Sequence, residues 1–139
     1  MEKIFTDTDI IIDLVAMREP FYPHAARLFS LADQGKIKIF VSALTFANLN
    51  YIITRQLSHE QARKAMSAFK SLVTILPLTE KIIELALVSK FKDFEDGLQY
   101  HTATEHQVKK LITRNLKDYK NANIIVMTAE QYINGLKDK

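Results

Sequence analysis

Short apolar runs alternate with longer amphipathic segments along the whole chain. Five runs have the length and composition of buried strands, and they span residues 4–6, 37–41, 73–76, 111–113 and 124–127. The segments between them carry apolar residues at helical spacing, as Ala25, Leu28 and Ala32 do. Strands that alternate with helices predict an α/β fold in which helices cover both faces of a parallel sheet.

Polar residues predict where most of the helices begin. We expect four of them to cap the helices that follow, namely Asp9, Ser42, Thr79 and Asp93. Two further pairs have the spacing of capping boxes, Ser58 with Gln61 and Thr128 with Gln131. The helix after Thr79 is expected to reach residue 90, and the helix after Asp93 to reach about residue 106. The chain has no repeat and no Ser/Gly-rich linker, which favours a single domain over residues 1–139.

The composition narrows the chemistry that the chain can perform. Among its 139 residues there is no cysteine, which excludes thiolate catalysis, disulfide bonds and iron–sulfur clusters held by cysteine. The three glycines, at positions 35, 97 and 135, lie too far apart for a dinucleotide fingerprint or a phosphate-binding loop. No apolar run approaches the ~20 residues of a membrane span, and the first residues lack the pattern of a signal peptide. We therefore expect a cytoplasmic protein that has no membrane partner.

Polar side chains follow the predicted strands at the points where these strands end. They are Asp7 and Asp9 after the first strand, Ser42, Thr45 and Asn48 after the second, and Thr113, Asn115 and Asp118 after the fourth. Asp93 and Asp96 open the helix that precedes the fourth strand. Because the carboxyl ends of parallel strands share one edge of the sheet, these groups can converge there. Taken singly, each also fits a helix cap or a turn.

Carboxylates gathered at one edge would repel one another. Two unit charges ~5 Å apart cost roughly 3 kcal/mol at an effective dielectric constant of ~20. Asp7 is the most informative of them, because it lies at the end of an apolar strand, where an unpaired charge is expensive. Hard divalent cations prefer oxygen ligands. Bound Mg²⁺ or Mn²⁺ therefore explains the joint placement better than a set of independent caps.

Basic residues concentrate around and after the fourth strand. Five of them stand against one acid between positions 109 and 120, and they are Lys109, Lys110, Arg114, Lys117 and Lys120. Such a patch can hold a polyanion by counterion release. It fits a solvated face of the protein as well.

Four segments of the chain resemble the PIN domain family. They are TDTDIIIDL at residues 6–14, VSALTFANLNYI at 41–52, DFEDGLQYHTA at 93–103 and LITRNLKDY at 111–119. The family includes VapC-type toxin nucleases of bacterial toxin–antitoxin pairs and related RNA-processing nucleases. The resemblance implies a three-layer α/β/α sandwich around a five-stranded, mostly parallel sheet. It also implies Mg²⁺- or Mn²⁺-dependent hydrolysis of phosphodiester bonds, usually in RNA.

The resemblance further implies roles for individual residues. Asp7 matches the first catalytic acid of the family and Asp96 the third, with Asp93 as a neighbouring carboxylate. Asn115 and Asp118 both match the fourth acidic position. The implied catalytic residues are therefore Asp7, Asp93, Asp96 and Asp118.

Asn48 departs from the family pattern, which has Glu in that helix. Its amide oxygen can coordinate a metal ion but brings no charge. The implied metal ligands are Asp7, Asp96, Asp118, Asn48 and Asn115. Asp9, Thr113 and Thr45 would support these ligands from beside them, although Asp9 can instead serve as a cap.

The function implied by the resemblance is that of a metal-dependent endoribonuclease, such as the toxin of a toxin–antitoxin pair. RNA, a cognate antitoxin and a second copy of the chain are the implied partners. The basic residues between positions 109 and 120 would hold the RNA backbone, and Tyr119 could stack on a base or pack in the core. An alternative follows from Asn48, namely a PIN-like module that has lost turnover and binds RNA or a protein. A metal-dependent phosphatase or flap nuclease of related geometry is a third candidate.

Overall fold

The computed structural model describes residues 1–120 and 122–137. Its strands are β1 (Glu2–Thr6), β2 (Ile37–Ser42), β3 (Thr74–Leu76), β4 (Lys110–Ile112) and β5 (Ile125–Met127). Its α-helices are α1 (Thr8–Val15), α2 (Tyr22–Asp33), α3 (Ala43–Ile53), α4 (His59–Lys70), α5 (Glu80–Leu87), α6 (Phe94–Glu105) and α7 (Ala129–Lys137). A short 3₁₀ helix spans Leu116–Tyr119. Helices thus alternate with strands over most of the chain, as the hydrophobic pattern predicts.

β1 lies at the centre of a five-stranded parallel sheet. The strand order is β3-β2-β1-β4-β5, and every neighbouring pair runs parallel. Phe5 pairs with Phe40 of β2 on one side and with Leu111 of β4 on the other. The chain proceeds from β1 outward to β3 and then returns to build β4 and β5 on the other side. Ligands of open α/β sheets bind at such a switch point, outside the carboxyl ends of the strands.

Alternate residues of the strands enter two separate cores. On one face, Ile4 and Ile39 pack with residues of α1, α2, α3, α4 and α7. On the other face, Phe5 and Phe40 pack with residues of α6, and α5 packs against α6. This is the two-residue period of a strand that is buried on both sides. Helices therefore cover both faces, which confirms the three-layer α/β/α architecture.

Most of the predicted caps are confirmed. The Ser42 hydroxyl accepts the Leu44 N–H at 3.1 Å, and the Thr79 hydroxyl accepts the Ile82 N–H at 3.2 Å. Both capping boxes are present, with reciprocal hydrogen bonds between Ser58 and Gln61 and between Thr128 and Gln131. Each cap stabilises its helix by about 1 kcal/mol.

The expected cap of α1 is wrong. Asp7 and not Asp9 is the N-cap, since Asp7 Oδ1 accepts the Thr8 N–H at 2.7 Å. The Asp7 N–H still donates to the Ile112 carbonyl of β4 at 2.9 Å. The helix therefore begins immediately after the last ladder bond, and Asp9 falls inside its first turn.

One helix boundary and one short element differ from the expectation. α5 ends at Leu87 and not at residue 90, and the Ser89 hydroxyl donates to the Ala86 carbonyl at 2.7 Å in the turn that follows. The 3₁₀ helix was not predicted, because a single turn is too short to show a hydrophobic period. Among the described residues, no helix combines the length and the apolar character that a membrane span needs.

Candidate active site

A cleft of about 430 Å³ lies at the carboxyl ends of β1 and β4. The residues that line it are Asp7, Thr8, Asp9, Ile12, Asn48, Tyr51, Ile52, Asp93, Glu95, Asp96, Asn115 and Asp118. We call it the acidic cleft, because six of these side chains are carboxylic acids. It brings together every acid and both asparagines that the sequence analysis proposed as catalytic residues or metal ligands. Thr45 and Thr113 are buried beside it.

Asp7 is held at the floor of the acidic cleft in one orientation. It is 6% exposed, and three donors contact its carboxylate. Oδ1 accepts the Thr8 N–H at 2.7 Å, while Oδ2 accepts the hydroxyls of Thr113 at 2.9 Å and Tyr119 at 3.1 Å. Burial raises the pKa of Asp7, and the three hydrogen bonds oppose that shift. Asp7, which the sequence predicts as the first catalytic acid, is thus a rigid, buried group.

Tyr119 links the acid of β1 to the acid of α6. Its hydroxyl lies 3.5 Å from Asp96 Oδ1 in addition to its contact with Asp7. Its ring is buried and packs edge-on against Phe91, with centroids 5.7 Å apart. Burial, followed by the charge of Asp7, raises the pKa of Tyr119 far above its ordinary value, so the hydroxyl remains a donor. The sequence predicts base stacking or core packing for Tyr119 and carries no local sign of its contact with the acids.

Asp9 contributes a buried carboxylate oxygen that accepts no hydrogen bond from the described residues. Its Oδ2 accepts the Arg114 N–H at 3.0 Å, and the Thr113 hydroxyl lies 3.3 Å away. In the part of the chain that the structure describes, its buried Oδ1 has no hydrogen-bond partner. Burial, then the charge of Asp7, raises the pKa of Asp9 to about 7. An orphaned carboxylate oxygen at a cleft is a candidate metal ligand.

Asp96 and Asp93 approach the same point from the first turn of α6. Asp93 caps the helix, and its Oδ1 accepts the Asp96 N–H at 3.2 Å. Burial, followed by the charges of Asp7, Asp93 and Asp118, raises the pKa of Asp96 to about 7. The cleft therefore resists full ionisation in the absence of a cation.

A buried polar network ties together the three helices that line the cleft. Thr8 of α1 and Thr45 of α3 have their hydroxyls 3.0 Å apart, and Gln99 Nε2 of α6 donates to the Thr8 hydroxyl at 3.0 Å. Thr45 lies one turn before Asn48, and Gln99 lies one turn after Asp96. The network therefore positions the polar residues of two helices relative to Asp7. Gln99 was not among the predicted site residues, since a lone Gln in a helix carries no local signal.

The structure divides the predicted basic patch. Lys117 and Lys120 line a groove that borders the acidic cleft. Lys110 lies at the amino end of β4, where its Nζ pairs with Glu2 Oε2 at 2.8 Å, and Lys109 precedes it. Arg114 Nε donates to Asp13 Oδ2 at 2.8 Å, on a separate surface. The five basic residues therefore do not form one surface.

The donor set of the acidic cleft fits a hard divalent cation. Its polar lining is composed of carboxylate, amide and hydroxyl oxygens, including the orphaned Oδ1 of Asp9. Within residues 1–120 and 122–137, no three Asp, Glu, His or Cys side chains already stand in the arrangement that would hold an ion. Mg²⁺ retains several waters and binds through one or two protein carboxylates, so it does not require such a preformed group.

Comparison with known proteins identifies relatives of the chain. A family model described as PIN domain matches residues 3–117. Ribonuclease VapC1 of Aquifex aeolicus (strain VF5) is 31% identical over an alignment 139 positions long. This alignment covers 94% of this chain and 93% of that protein.

Solved structures with the same fold are also found. A toxin–antitoxin complex from Klebsiella pneumoniae matches with a TM-score of 0.68 at 24% identity, over 91% of this chain and 97% of that chain. VapC20 of Mycobacterium tuberculosis, a sarcin–ricin loop cleaving toxin, matches with a TM-score of 0.63 at 18% identity, over 78% and 86% of the two chains. At these identities the structural likeness supports the fold alone.

Proposed function

This chain belongs to the PIN domain family, and on that premise we propose that it is a metal-dependent endoribonuclease that hydrolyses RNA phosphodiester bonds. The observation that carries the proposal is the acidic cleft, in which acids from three separate parts of the chain line one space at the switch point of the sheet. The ribonuclease relative, similar over nearly the whole chain, supports RNA as the substrate.

We assign the metal ligands to Asp7, Asp96, Asp118, Asn48 and Asn115. Bound Mg²⁺ or Mn²⁺ would supply Lewis acidity, which lowers the pKa of a water molecule and stabilises the leaving oxygen. Thr8, Thr113 and Tyr119 hold the Asp7 carboxylate by three hydrogen bonds, so that little reorientation is needed on ligand binding. Asp93 is exposed at the rim, where its carboxylate can accept a hydrogen bond from the attacking water.

The alternative is a module that has lost turnover and binds RNA or a protein. Asn48 favours it, because the cleft has a neutral amide where the family usually has a carboxylate. The orphaned Asp9 Oδ1 and the raised pKa of Asp96 favour the nuclease, because both describe a cleft that a cation would stabilise. We therefore place the nuclease first.

We further propose that the chain is the toxin of a toxin–antitoxin pair and that it forms a homodimer. The solved toxin–antitoxin complex with the same fold supports an antitoxin partner. Leu87 and Val88, at the end of α5, are 67% and 83% exposed, which suits a surface that contacts another protein.

A cleavage assay with matched variants tests the nuclease proposal. The wild-type protein should cleave a labelled single-stranded RNA with Mn²⁺ or Mg²⁺, and EDTA should stop the cleavage. Asp96→Asn should lose at least about 100-fold in rate without a lower melting temperature. The control is Asp33→Asn, which replaces an exposed carboxylate at the end of α2. This variant, purified in the same way, should retain activity.

Two results would contradict the proposal. If Asp96→Asn and Asp33→Asn cleave equally, the activity comes from another site or from a contaminant. If the wild-type protein binds RNA but cleaves none with either metal, the alternative of a binding module is supported.

A further inference from the structure

A basic groove of about 270 Å³ adjoins the acidic cleft. Four lysines line it, Lys90 and Lys92 from the loop between α5 and α6, and Lys117 and Lys120 from the 3₁₀ helix and the residue after it. Asp93 and Asp118 line both the groove and the cleft. The two spaces therefore share a border.

The four lysines are not neutralised by the acids beside them. In the described ranges, no carboxylate oxygen lies within the 4.0 Å of an ion pair from any of their ammonium groups. All four side chains are exposed, and two of them flank Asp93 and Asp118 closely in sequence without pairing with either. Their charges are thus available to an anion.

The sign of the charge changes sharply at the shared border. No Lys or Arg side chain lines the acidic cleft in the part of the chain that the structure describes. A polyanion is repelled by the cleft unless cations are bound there, whereas the groove attracts it. This polarity suits a strand that places one phosphate in the cleft and its neighbours in the groove.

Aromatic packing fixes the distance between the two spaces. Phe91 lines the groove, and its ring packs edge-on against that of Tyr119 at 5.7 Å. The Tyr119 hydroxyl in turn contacts Asp7 and Asp96. The floor of the groove and the acids of the cleft therefore belong to one packed unit.

We propose that the basic groove binds the backbone phosphates of single-stranded RNA that flank the scissile bond. The inference rests on the proposed function. It assigns Lys90 and Lys92 to a substrate-binding surface, although both lie outside the basic run at positions 109–120. Lysines bind phosphates as point charges, so the groove should position the strand without reading its sequence.

A salt titration of RNA binding tests the groove. The probe is a fluorescein-labelled single-stranded oligoribonucleotide, and its anisotropy is measured in EDTA so that no cleavage occurs. Lys90→Gln combined with Lys92→Gln should weaken binding roughly tenfold or more at ~0.1 M salt. The slope of log K against log salt should become shallower by about 1.4, or ~0.7 for each phosphate that the protein no longer neutralises.

The matched control is Lys36→Gln combined with Lys70→Gln. Both lysines are exposed, and they precede the amino ends of β2 and β3, whereas the groove borders a cleft at the carboxyl ends of the strands. Their loss lowers the net charge of +3 by the same two units. This pair should change neither the affinity nor the slope by more than a small fraction. If both pairs weaken binding equally, or if the groove pair changes nothing, the groove is a solvated face and the inference is overturned.

The cleavage assay separates this inference from the proposed function. If the variant with Lys90→Gln and Lys92→Gln cleaves RNA as fast as the wild-type protein, the role of the groove is refuted and the nuclease proposal stands. Groove-dependent binding without any cleavage would refute the nuclease and leave the groove as an RNA-binding surface. A wild-type protein that binds no RNA at low salt would overturn the groove.

Discussion

Replacement of Tyr119 by Phe tests the contact that organises the acidic cleft. The change keeps the buried ring and its edge-on packing against Phe91. It removes the hydroxyl that donates to Asp7 Oδ2 at 3.1 Å and lies 3.5 Å from Asp96 Oδ1. Asp7 then keeps two of its three donors while remaining buried.

The size of the effect depends on the charge of the acids. A hydrogen bond to a charged group contributes about 1.5–3 kcal/mol, and one to a neutral group about 1 kcal/mol. Because the pKa of Asp96 rises to about 7, its carboxylate is charged at pH 8 and neutral at pH 5, so the contact of the Tyr119 hydroxyl with Asp96 changes from the charged to the neutral case over that range. Loss of the hydroxyl should therefore lower the melting temperature by roughly 5–10 °C at pH 8 and by less than half of that at pH 5.

Thermal unfolding in EDTA, followed by circular dichroism from pH 5 to pH 8, measures this difference. Tyr100→Phe is the matched control, because Tyr100 is also buried but its hydroxyl accepts the Asn123 N–H at 3.2 Å and bonds to no acid among residues 1–120 and 122–137. Its deficit should be about 1 kcal/mol at every pH. If the Tyr119→Phe deficit does not grow with pH, or equals that of Tyr100→Phe, then Tyr119 does not stabilise ionised acids and the reasoning fails.

Ionisation of the acids in the cleft should couple the stability of the protein to pH and to metal ions. Because the pKa values of Asp9 and Asp96 rise from near 3.8 to about 7 on folding, the native protein holds protons that the unfolded chain releases between about pH 4 and 7. The free energy of unfolding of the metal-free protein should therefore fall as the pH rises through this interval, and a stability profile without that fall would contradict the burial of these acids. Millimolar Mn²⁺ should raise the melting temperature at pH 8 and much less at pH 5, since the ligands must be deprotonated. Asn48→Glu should tighten Mn²⁺ binding at least about tenfold in a thermal-shift titration, whereas Ala47→Glu, on the exposed side of α3, should not; equal effects would remove Asn48 from the metal ligands.

Much of the fold could be predicted because the signals that specify it are local. An apolar run of strand length must be buried, and an amphipathic segment must cover it, wherever the rest of the chain lies. Ser42 and Asp93 cap their helices through atoms within three residues of themselves. Once the strands are parallel, their carboxyl ends share an edge with the first turns of the helices that run back across the sheet, so the convergence of Asp7 with Asp96 of α6 also follows from the pattern.

Contacts between distant residues could not be predicted in this way. Tyr119 is 112 residues from Asp7, and Gln99 is 91 residues from Thr8. Neither residue differs locally from an ordinary core side chain. Their roles depend on the packing of α6 and the 3₁₀ helix against the end of β1, which no short-range period encodes.

The distribution of charge shows most clearly the difference between local signals and tertiary contacts. Lys110 and Lys117 belong to one basic run in the sequence, yet β4 carries the chain across the sheet between them, so Lys110 pairs with Glu2 and Lys117 faces the groove. Lys90 and Lys92 join that groove from another loop. Burial and capping act over a few residues, so the order of amino acids specifies which helices and strands form and that acids follow the strands. The order and direction of the strands set the neighbours of each side chain, so the charges that share a surface are selected by the folded arrangement.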